Sequence, residues 1–478
     1  MKVLLVQPPA GGFIGYDRLT RTEPLGLESL AGALPGHEVR LLDLRLGGNL
    51  ETTLKKFRPN LCGISCSFTM SVPNAVNCAR LVRRYVPDAF VIVGGVHPSI
   101  APKDFTDPAI NALAKGEGEE LIAELASVLE AGGDVSQVKG LYLNTPDGQV
   151  FTGRRELISD LDTLPFPRRD LGRVKKNDYY FNLWRPFAVV ETTRGCPHRC
   201  LFCSVWRFYQ GKVRSKSPER VVEELSRLEE PYVFFTDDNF FGDAARAQRI
   251  AALIAERGIR KNYSMQVRAD EVAANPDLVA AWHEVGLRHV LIGFEATSDE
   301  DLQELHKDSD VRAAGEAMRV LRSIGDIAVT GSFIVDPSSG PEDFGRMREY
   351  ARRIGISSPQ FSILTPLPGT ALYQRLKDQL VTRNYKLFDF QHCVLPSRLP
   401  LAQFYKEYAG LYQFLYAHSA LSWRKYWSLL KGLMRGRYSI SQVRGVVETF
   451  KRVSDPATYL QAHEKANEEN LVPTEAQA

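Results

Sequence analysis

Thr192-Thr-Arg-Gly-Cys-Pro-His-Arg-Cys-Leu-Phe-Cys-Ser204 decides the reading of this chain, and it follows directly on the apolar run Pro186-Phe-Ala-Val-Val190. Three cysteines, Cys196, Cys200 and Cys203, stand there at C-x3-C-x2-C. Thiolates at that spacing can each hold one iron of a 4Fe–4S cluster and leave the fourth iron open. Ligation by four thiolates suits electron transfer, whereas an open iron can bind a reactant. A structural zinc site is the competing reading. It needs a fourth ligand, and His198 inside the loop is the side chain available for it.

The rest of the composition sets the frame. At 478 residues the chain is too long for one hydrophobic core and implies about two or three domains. A hydrophobic content of 44% with 24% charged residues is that of a globular protein. The net charge of +3 is too small to argue for a nucleic-acid partner. Cys62, Cys66, Cys78 and Cys393 have no framework spacing and read as buried thiols. Together with an oxygen-sensitive cluster they imply a reducing, cytoplasmic setting. The start, Met1-Lys-Val-Leu-Leu-Val-Gln7, reads as a strand rather than a leader, and no run of apolar residues is long enough to span a membrane.

The fold class is α/β. Over residues 1–135, short Val/Ile/Leu runs (Val3–Val6, Val39–Asp43, Leu61–Ser65, Phe90–Val93, Ala109–Leu113) alternate with helical patterns, the signature of a doubly wound parallel sheet buried on both faces. Glycine, serine and proline cluster just after these strands, where an open α/β sheet binds its ligand. Residues 136–185 read as a hairpin, turning at Asp147-Gly148, and a proline-rich linker. Six further strand–helix units fill 186–395, with strands at Phe187–Glu191, Tyr232–Thr236, Tyr263–Val267, His289–Glu295, Ala328–Val335 and Gln360–Leu364. Residues 396–478 read as a helical C-terminal region whose polar tail, from Glu464, is disordered.

The cysteine stretch and its setting resemble the radical S-adenosylmethionine (SAM) superfamily. In that superfamily the open iron takes the amino and carboxylate groups of SAM, and reductive cleavage releases a 5′-deoxyadenosyl radical. The resemblance implies a partial (β/α)6 barrel over 186–395, with its reactive face at the C-terminal ends of the strands. It places Phe202 near the SAM adenine. Asp237 and Asp238 follow the second strand, where many relatives hold the SAM ammonium with a Gly-Gly-Glu motif; relatives that also bind cobalamin share this departure. Arg268 and Glu295, after the third and fourth strands, are assigned to the SAM carboxylate and ribose, with ordinary ion pairs as the alternative. Thr365, ending the sixth strand, falls close to adenine. Trp206, Phe208 and Tyr209 either line a substrate cavity or pack the loop.

An α/β domain ahead of such a barrel resembles the cobalamin-binding domain of cobalamin-dependent radical SAM enzymes. The matching residues are Pro24 and Gly26 at the first helix, Ser65, Ser67 and Thr69 after the third strand, Gly94, Gly95 and His97 after the fourth, and Gly116 and Glu117 after the fifth. Small residues let backbone approach the corrin. No Asp-x-His-x-x-Gly motif is present, so cobalamin is expected without a histidine ligand. A cofactor-free partner-binding domain is the alternative.

The implied cofactors are a 4Fe–4S cluster, SAM and cobalamin, and the implied reaction is methylation of an unactivated carbon through a 5′-deoxyadenosyl radical and methylcobalamin. The stretch Arg194–Tyr209 and the closing His392–Pro400 look most like hopanoid C-3 methylases, which implies a triterpenoid lipid substrate. The implied partners are a small hydrophobic substrate and an external electron donor such as flavodoxin or ferredoxin, with no nucleic acid. The basic-aromatic segment Trp423–Tyr438 either lies peripherally on the inner membrane surface or caps the barrel. Anaerobic magnesium-protoporphyrin ester cyclases share a similar cysteine stretch, so an oxidative cyclase acting on a tetrapyrrole is the enzymatic alternative. A cobalamin sensor with a structural zinc site is the non-enzymatic one.

Overall fold

A computed structural model describes residues 1–12, 20–171, 178–356, 358–420 and 440–471. The first seven strands, β1 (Lys2–Gln7), β2 (Glu38–Asp43), β3 (Leu61–Ser65), β4 (Phe90–Gly94), β5 (Ala112–Ala114), β6 (Leu141–Thr145) and β7 (Gly148–Phe151), form one sheet in the order β2-β1-β3-β4-β5-β6-β7. The first five run parallel, with Val3 opposite both Val39 and Leu61, Leu61 opposite Phe90, and Ile92 opposite Ala112. Helices Leu50–Phe57 and Val72–Tyr85 cover one face through a core that includes Leu54, Phe57, Ala79 and Val82. Helices Leu25–Gly32 and Glu119–Glu130 cover the other through Leu27, Ala31, Leu121 and Leu125. Burial on both faces is why these strands are nearly continuous in apolar residues.

Three local differences from the sequence reading have physical causes. The fifth strand starts at Ala112 rather than Ala109, because Asp107 forms a turn in which its side chain accepts from the Ala109 N–H at 2.9 Å and its carbonyl from Ile110 at 3.0 Å. The hairpin adds to the sheet, β6 pairing antiparallel to β5, instead of standing apart with the linker. Its turn is Pro146-Asp147, since Thr145 already pairs with Gly148, whose φ of 118° opens the returning strand.

The second sheet holds β8 (Phe187–Val190), β9 (Tyr232–Phe235), β10 (Asn262–Val267), β11 (Leu287–Glu295), β12 (Ala328–Val335) and β13 (Ser358–Ile363). Each pairs parallel with its sequence neighbour, giving a six-stranded open barrel. Ser217 caps the first barrel helix, Pro218–Ser226, accepting from the Arg220 N–H at 3.1 Å, with Pro218 in its first turn. Trp282, fully buried among Phe235, Phe240 and Tyr263, donates to the Ala247 carbonyl at 3.1 Å and locks neighbouring helices together.

Helices Leu401–Ala420, Ile440–Val453 and Pro456–Leu471 follow the barrel. The polar tail is helical through Leu471 rather than disordered from Glu464. Tyr459, Ala462 and Ala466 are buried at helical spacing, Tyr459 stacks on Tyr405 at 5.0 Å, and Asn384 donates to the Ala466 carbonyl at 3.1 Å. Beneath these helices His392 is buried against Asp389 (2.8 Å), so the closing His392–Pro400 stretch begins inside the cap of the barrel. The Trp423–Tyr438 segment lies outside the described residues. Among the described residues, no helix is long and apolar enough to cross a membrane.

Candidate active site

The cysteine loop leaves β8 at the barrel mouth and is fixed from both sides. Asp237, at the end of β9, accepts from the Thr192 and Thr193 N–H groups at 2.6 and 3.0 Å and from the Thr192 hydroxyl. Gly195 then turns at φ 97°, and a Cβ there would sit 2.1 Å from the Lys212 carbonyl, so only glycine fits. Leu201 donates to the Leu305 carbonyl and accepts from Leu372, both at 3.1 Å, and the Trp206 indole donates to the Cys200 carbonyl at 3.1 Å.

Burial pushes all three thiols up, Cys203 to about 12. For Cys200 the Lys307 and Arg268 cations work the other way, favouring thiolate. Among the described residues, no fourth cysteine joins these three. Cys62, Cys66 and Cys78 are buried in the first domain's core and Cys393 beneath the C-terminal helices. His198 is engaged by Asp308 at 3.1 Å. Among the described residues, no three His, Cys, Asp or Glu side chains are grouped to hold a single metal ion. Three thiols on one braced loop fit a cluster with one open iron better than a tetrahedral zinc site.

A cavity of about 290 Å³ opens at the C-terminal ends of the barrel strands beside this loop, lined by Phe202, Asp238, Arg268, Glu295 and Thr365 among others. The structure therefore brings together four of the five residues assigned to SAM. The fifth, Asp237, does not line this cavity: it is buried with both carboxylate oxygens committed to Thr192 and Thr193, and its role is to hold the strand end. Burial, with Asp237 and Glu191 nearby, pushes the Asp238 carboxyl up to about 7. Arg268 gives Nε and Nη2 to Asp270 and Nη2 also to the Asp308 carbonyl, which among the described residues leaves Nη1 uncommitted. Glu295 accepts from Lys307 at 3.0 Å and has φ 61°, where the register between β11 and β12 shifts. A non-glycine residue held in the left-handed region at the cavity wall is a strain that surrounding structure must sustain.

A second cavity, of about 300 Å³, lies at the carboxyl edge of β3, β4 and β5 and is lined by Gly26, Ser65, Ser67, Gly94, Gly95, Gly116 and Glu117. An adjoining recess of about 430 Å³ shares Gly116, Glu117 and Phe208 with it, so the two form one groove. Gly95 is obligatory: its φ is 121° and a Cβ would lie 2.7 Å from the Cys66 carbonyl. Gly26 and Gly116 have nothing within 4 Å of where a Cβ would be, leaving open space over bare backbone. Open backbone and a long groove fit a large amide-rimmed cofactor such as cobalamin.

Three residues assigned to cobalamin do not line this groove. Pro24 precedes the helix Leu25–Gly32, its carbonyl accepting from Leu27 at 2.8 Å. His97 is buried between the Thr69 hydroxyl (3.0 Å) and Asp104 (2.9 Å), so both ring nitrogens and Thr69 are spent on internal bonds. Glu117 lines the groove, but its carboxylate is committed to Arg194, Arg214 and the Ile158 N–H.

Sequence reasoning missed Arg194. It is buried and reaches Glu117 (2.8 Å) and Glu119 (2.5 Å) of the first domain as well as Glu191 (2.8 Å) of its own loop. Its place directly before Gly195-Cys196 was visible, but nothing local signalled partners 77 and 75 residues away. Trp206 packs the loop, whereas Phe208 and Tyr209 line the groove of the first domain.

Comparison with known proteins agrees with this geometry. Residues 190–351 match the radical SAM superfamily and residues 14–126 the B12 binding domain. The chain is 34% identical over 424 residues to a hopanoid C-3 methylase of Methylococcus capsulatus, covering 87% of this chain and 80% of that protein. It is 28% identical over 356 residues to an anaerobic magnesium-protoporphyrin IX monomethyl ester cyclase of Cereibacter sphaeroides, covering 71% of this chain and 57% of that one. The fold is shared with TsrM, a radical SAM methyltransferase from Kitasatospora setae solved with cobalamin and a 4Fe–4S cluster, at a TM-score of 0.64 and 22% identity over 79% of this chain and 75% of that one. The chain belongs to the cobalamin-dependent radical SAM enzymes, and its cofactors are a 4Fe–4S cluster, SAM and cobalamin.

Proposed function

We propose that this enzyme methylates an unactivated carbon of a hydrophobic substrate of the hopanoid class, held where the two cavities converge. One observation carries the reading: the cysteine loop serves both cavities. Phe202 lines the barrel-mouth cavity, and Phe208 and Tyr209, a few residues later, line the groove of the first domain. When bound, the cluster and SAM supply a carbon radical that abstracts hydrogen, and cobalamin supplies the methyl group.

The chain's own residues position and shield. In this reading Arg268 offers Nη1 to the SAM carboxylate, a charge-assisted contact. Asp238 faces the ammonium. Glu295, oriented by Lys307, accepts from the ribose hydroxyls, and Phe202 presents its ring to the adenine. Ile292, Ile334 and Leu364 line the same cavity and exclude water from it. Gly26, Gly94 and Gly116 let backbone lie against the corrin. Contact of the basic-aromatic Trp423–Tyr438 segment with the membrane surface brings the enzyme to its lipid substrate.

The 28% identity to a cyclase favours a second reading, oxidation of a tetrapyrrole. Mass spectrometry of lipid and pigment extracts, from cells with and without the active gene, separates the two. The methylase reading expects a lipid that gains one methylene unit only when the gene is active. A gene-dependent change confined to pigments, with no methylated lipid, overturns it.

A further inference from the structure

Phe202, Phe333 and Phe390 all bring aromatic rings to the barrel-mouth cavity. Phe333 belongs to the core: it is fully buried and stacked with Phe294 at 5.7 Å and Phe361 at 5.6 Å. Phe202 and Phe390 are half-buried, and among the described residues neither pairs with another ring. Both are tied to β13 or to the chain that leaves it. Leu201, next to Phe202, accepts from the Leu372 N–H at 3.1 Å, and the Phe390 carbonyl accepts from Ile363, the last residue of β13, at 2.7 Å.

Phe390 has φ 64°, in the left-handed region, where a bulky side chain is a genuine outlier. Its neighbours hold it there. Asp389 accepts from the Gln391 N–H at 3.0 Å and from the His392 ring at 2.8 Å. Gln391, itself buried, donates to the Phe361 carbonyl at 3.2 Å and accepts from the Tyr408 hydroxyl at 2.9 Å. The Tyr405 hydroxyl accepts from the Cys393 N–H at 2.9 Å. Gly12 of the first domain closes over the turn, since a Cβ there would stand 3.1 Å from the Asp389 Cβ. Phe388, two residues earlier, goes to the core, buried against Tyr385 at 5.2 Å. Backbone strain sustained by so many bonds marks a working position. What this turn delivers is a single ring, to the cavity and not to the core.

We infer that Phe390 is a further SAM-binding residue, whose ring gives the adenine a second aromatic wall in addition to Phe202. The charged groups of the cavity, Asp238, Arg268, Glu295 and Lys307, suit the methionine and ribose parts of SAM. A purine instead has apolar faces and stacks on aromatic rings. Asp389 and Gln391 act through Phe390 as positioning residues, fixing the turn that presents it. The inference rests on the reading that puts the adenine at Phe202, and it is independent of the substrate and of whether the product is methylated.

The test is equilibrium dialysis of carbon-14-labelled SAM against enzyme loaded with cluster and cobalamin, without reductant so that no SAM is cleaved. Competition by 5′-deoxyadenosine, which keeps the purine and lacks the methionine, is measured alongside. Alanine, leucine and tyrosine all carry a Cβ, so at position 390 they share the backbone strain and differ only in the ring. Phe390→Ala should weaken SAM and 5′-deoxyadenosine by the same factor, about tenfold or more. Phe390→Leu should fall between, and Phe390→Tyr should bind as wild type does. Iron content and cobalamin affinity should be equal in all of them. Phe388→Leu, a change in the buried ring beside it, should lower stability in urea and keep SAM affinity. Wild-type affinity in Phe390→Ala, a loss for SAM alone, no recovery in Phe390→Tyr, or an equal loss in Phe388→Leu each overturns the inference. So does a loss of iron that parallels the loss of SAM. Phe202→Ala separates the two rings. Unchanged affinity there with loss in Phe390→Ala removes Phe202 from the adenine and leaves Phe390 in place, whereas the reverse overturns the inference and spares the reading of Phe202.

Discussion

Arg194 Nη1 meets Glu117 Oε1 at 2.8 Å across the boundary between the barrel and the first domain. This contact ties the residue before the cluster motif to the wall of the cobalamin groove, and Glu119 and Glu191 complete the cage around the same guanidinium.

Arg194→Gln should therefore be costly. It strands Glu119, whose side chain is 7% exposed, and leaves Glu117 with Arg214 alone, and losing one partner of a buried pair costs about 3–5 kcal/mol. Burial opposes ionisation of Glu119, but Arg194 outweighs it and holds the carboxyl below its ordinary value. That stability is present above the unfolded carboxylate pKa and is lost as pH falls through the folded one. The gap between wild type and variant in urea unfolding should be widest near neutrality and narrow below about pH 4. Arg194→Lys should restore part of the stability, since one ammonium cannot span three carboxylates.

Gly195→Ala probes the turn into the loop. With φ at 97° and the Lys212 carbonyl 2.1 Å from the added Cβ, the backbone must move. Strain of about 1–3 kcal/mol is expected locally. Iron and sulfide content after reconstitution should fall well below wild type, while far-ultraviolet circular dichroism is retained.

Cys200→Ala should abolish cluster absorption and 5′-deoxyadenosine formation together and leave cobalamin binding intact, because the groove lies in the other domain. Before reconstitution, burial holds the three thiols protonated at neutral pH, so they should alkylate slowly. Iron binding must displace their protons and should become more favourable as pH rises.

His289 gives the barrel an acid limit. Burial pushes it down to about 4, and it sits between the Ser264 hydroxyl (2.7 Å) and the Thr330 hydroxyl (2.9 Å). Its unfolded pKa is near 6.5, so the unfolded chain binds the extra proton between about pH 6.5 and 4 and stability falls across that window, by about 3 kcal/mol. His289→Gln should lose this contribution, and its stability should decline with one proton less of slope in a urea series over the same range.

What was legible in the chain follows from range. Strand runs such as Leu61–Ser65 and Ala328–Val335 are local patterns and match the observed elements. Gly95 and Gly116 were visible as small residues after strands, the only kind that leaves backbone bare. Glu464 onward looked disordered because its polar residues hide a stripe that Tyr405 and Asn384 bury from elsewhere in the chain. Asp237 and Asp238 are adjacent and chemically alike, and sequence could not tell which one points inward to Thr192 and which lines the cavity. His97 stood with Gly94 and Gly95 among the residues matched to the cobalamin groove, but its place is set by Asp104 and Thr69.

The central claim is tested most directly by the fate of the methyl group. Anaerobically reconstituted enzyme, loaded with cobalamin and given a reductant, is incubated with hopanoid and with SAM carrying a deuterated methyl group. The account predicts hopanoid that has gained the labelled methyl on carbon, with 5′-deoxyadenosine formed alongside. Unlabelled, oxidised product, or 5′-deoxyadenosine without any labelled hopanoid, contradicts it.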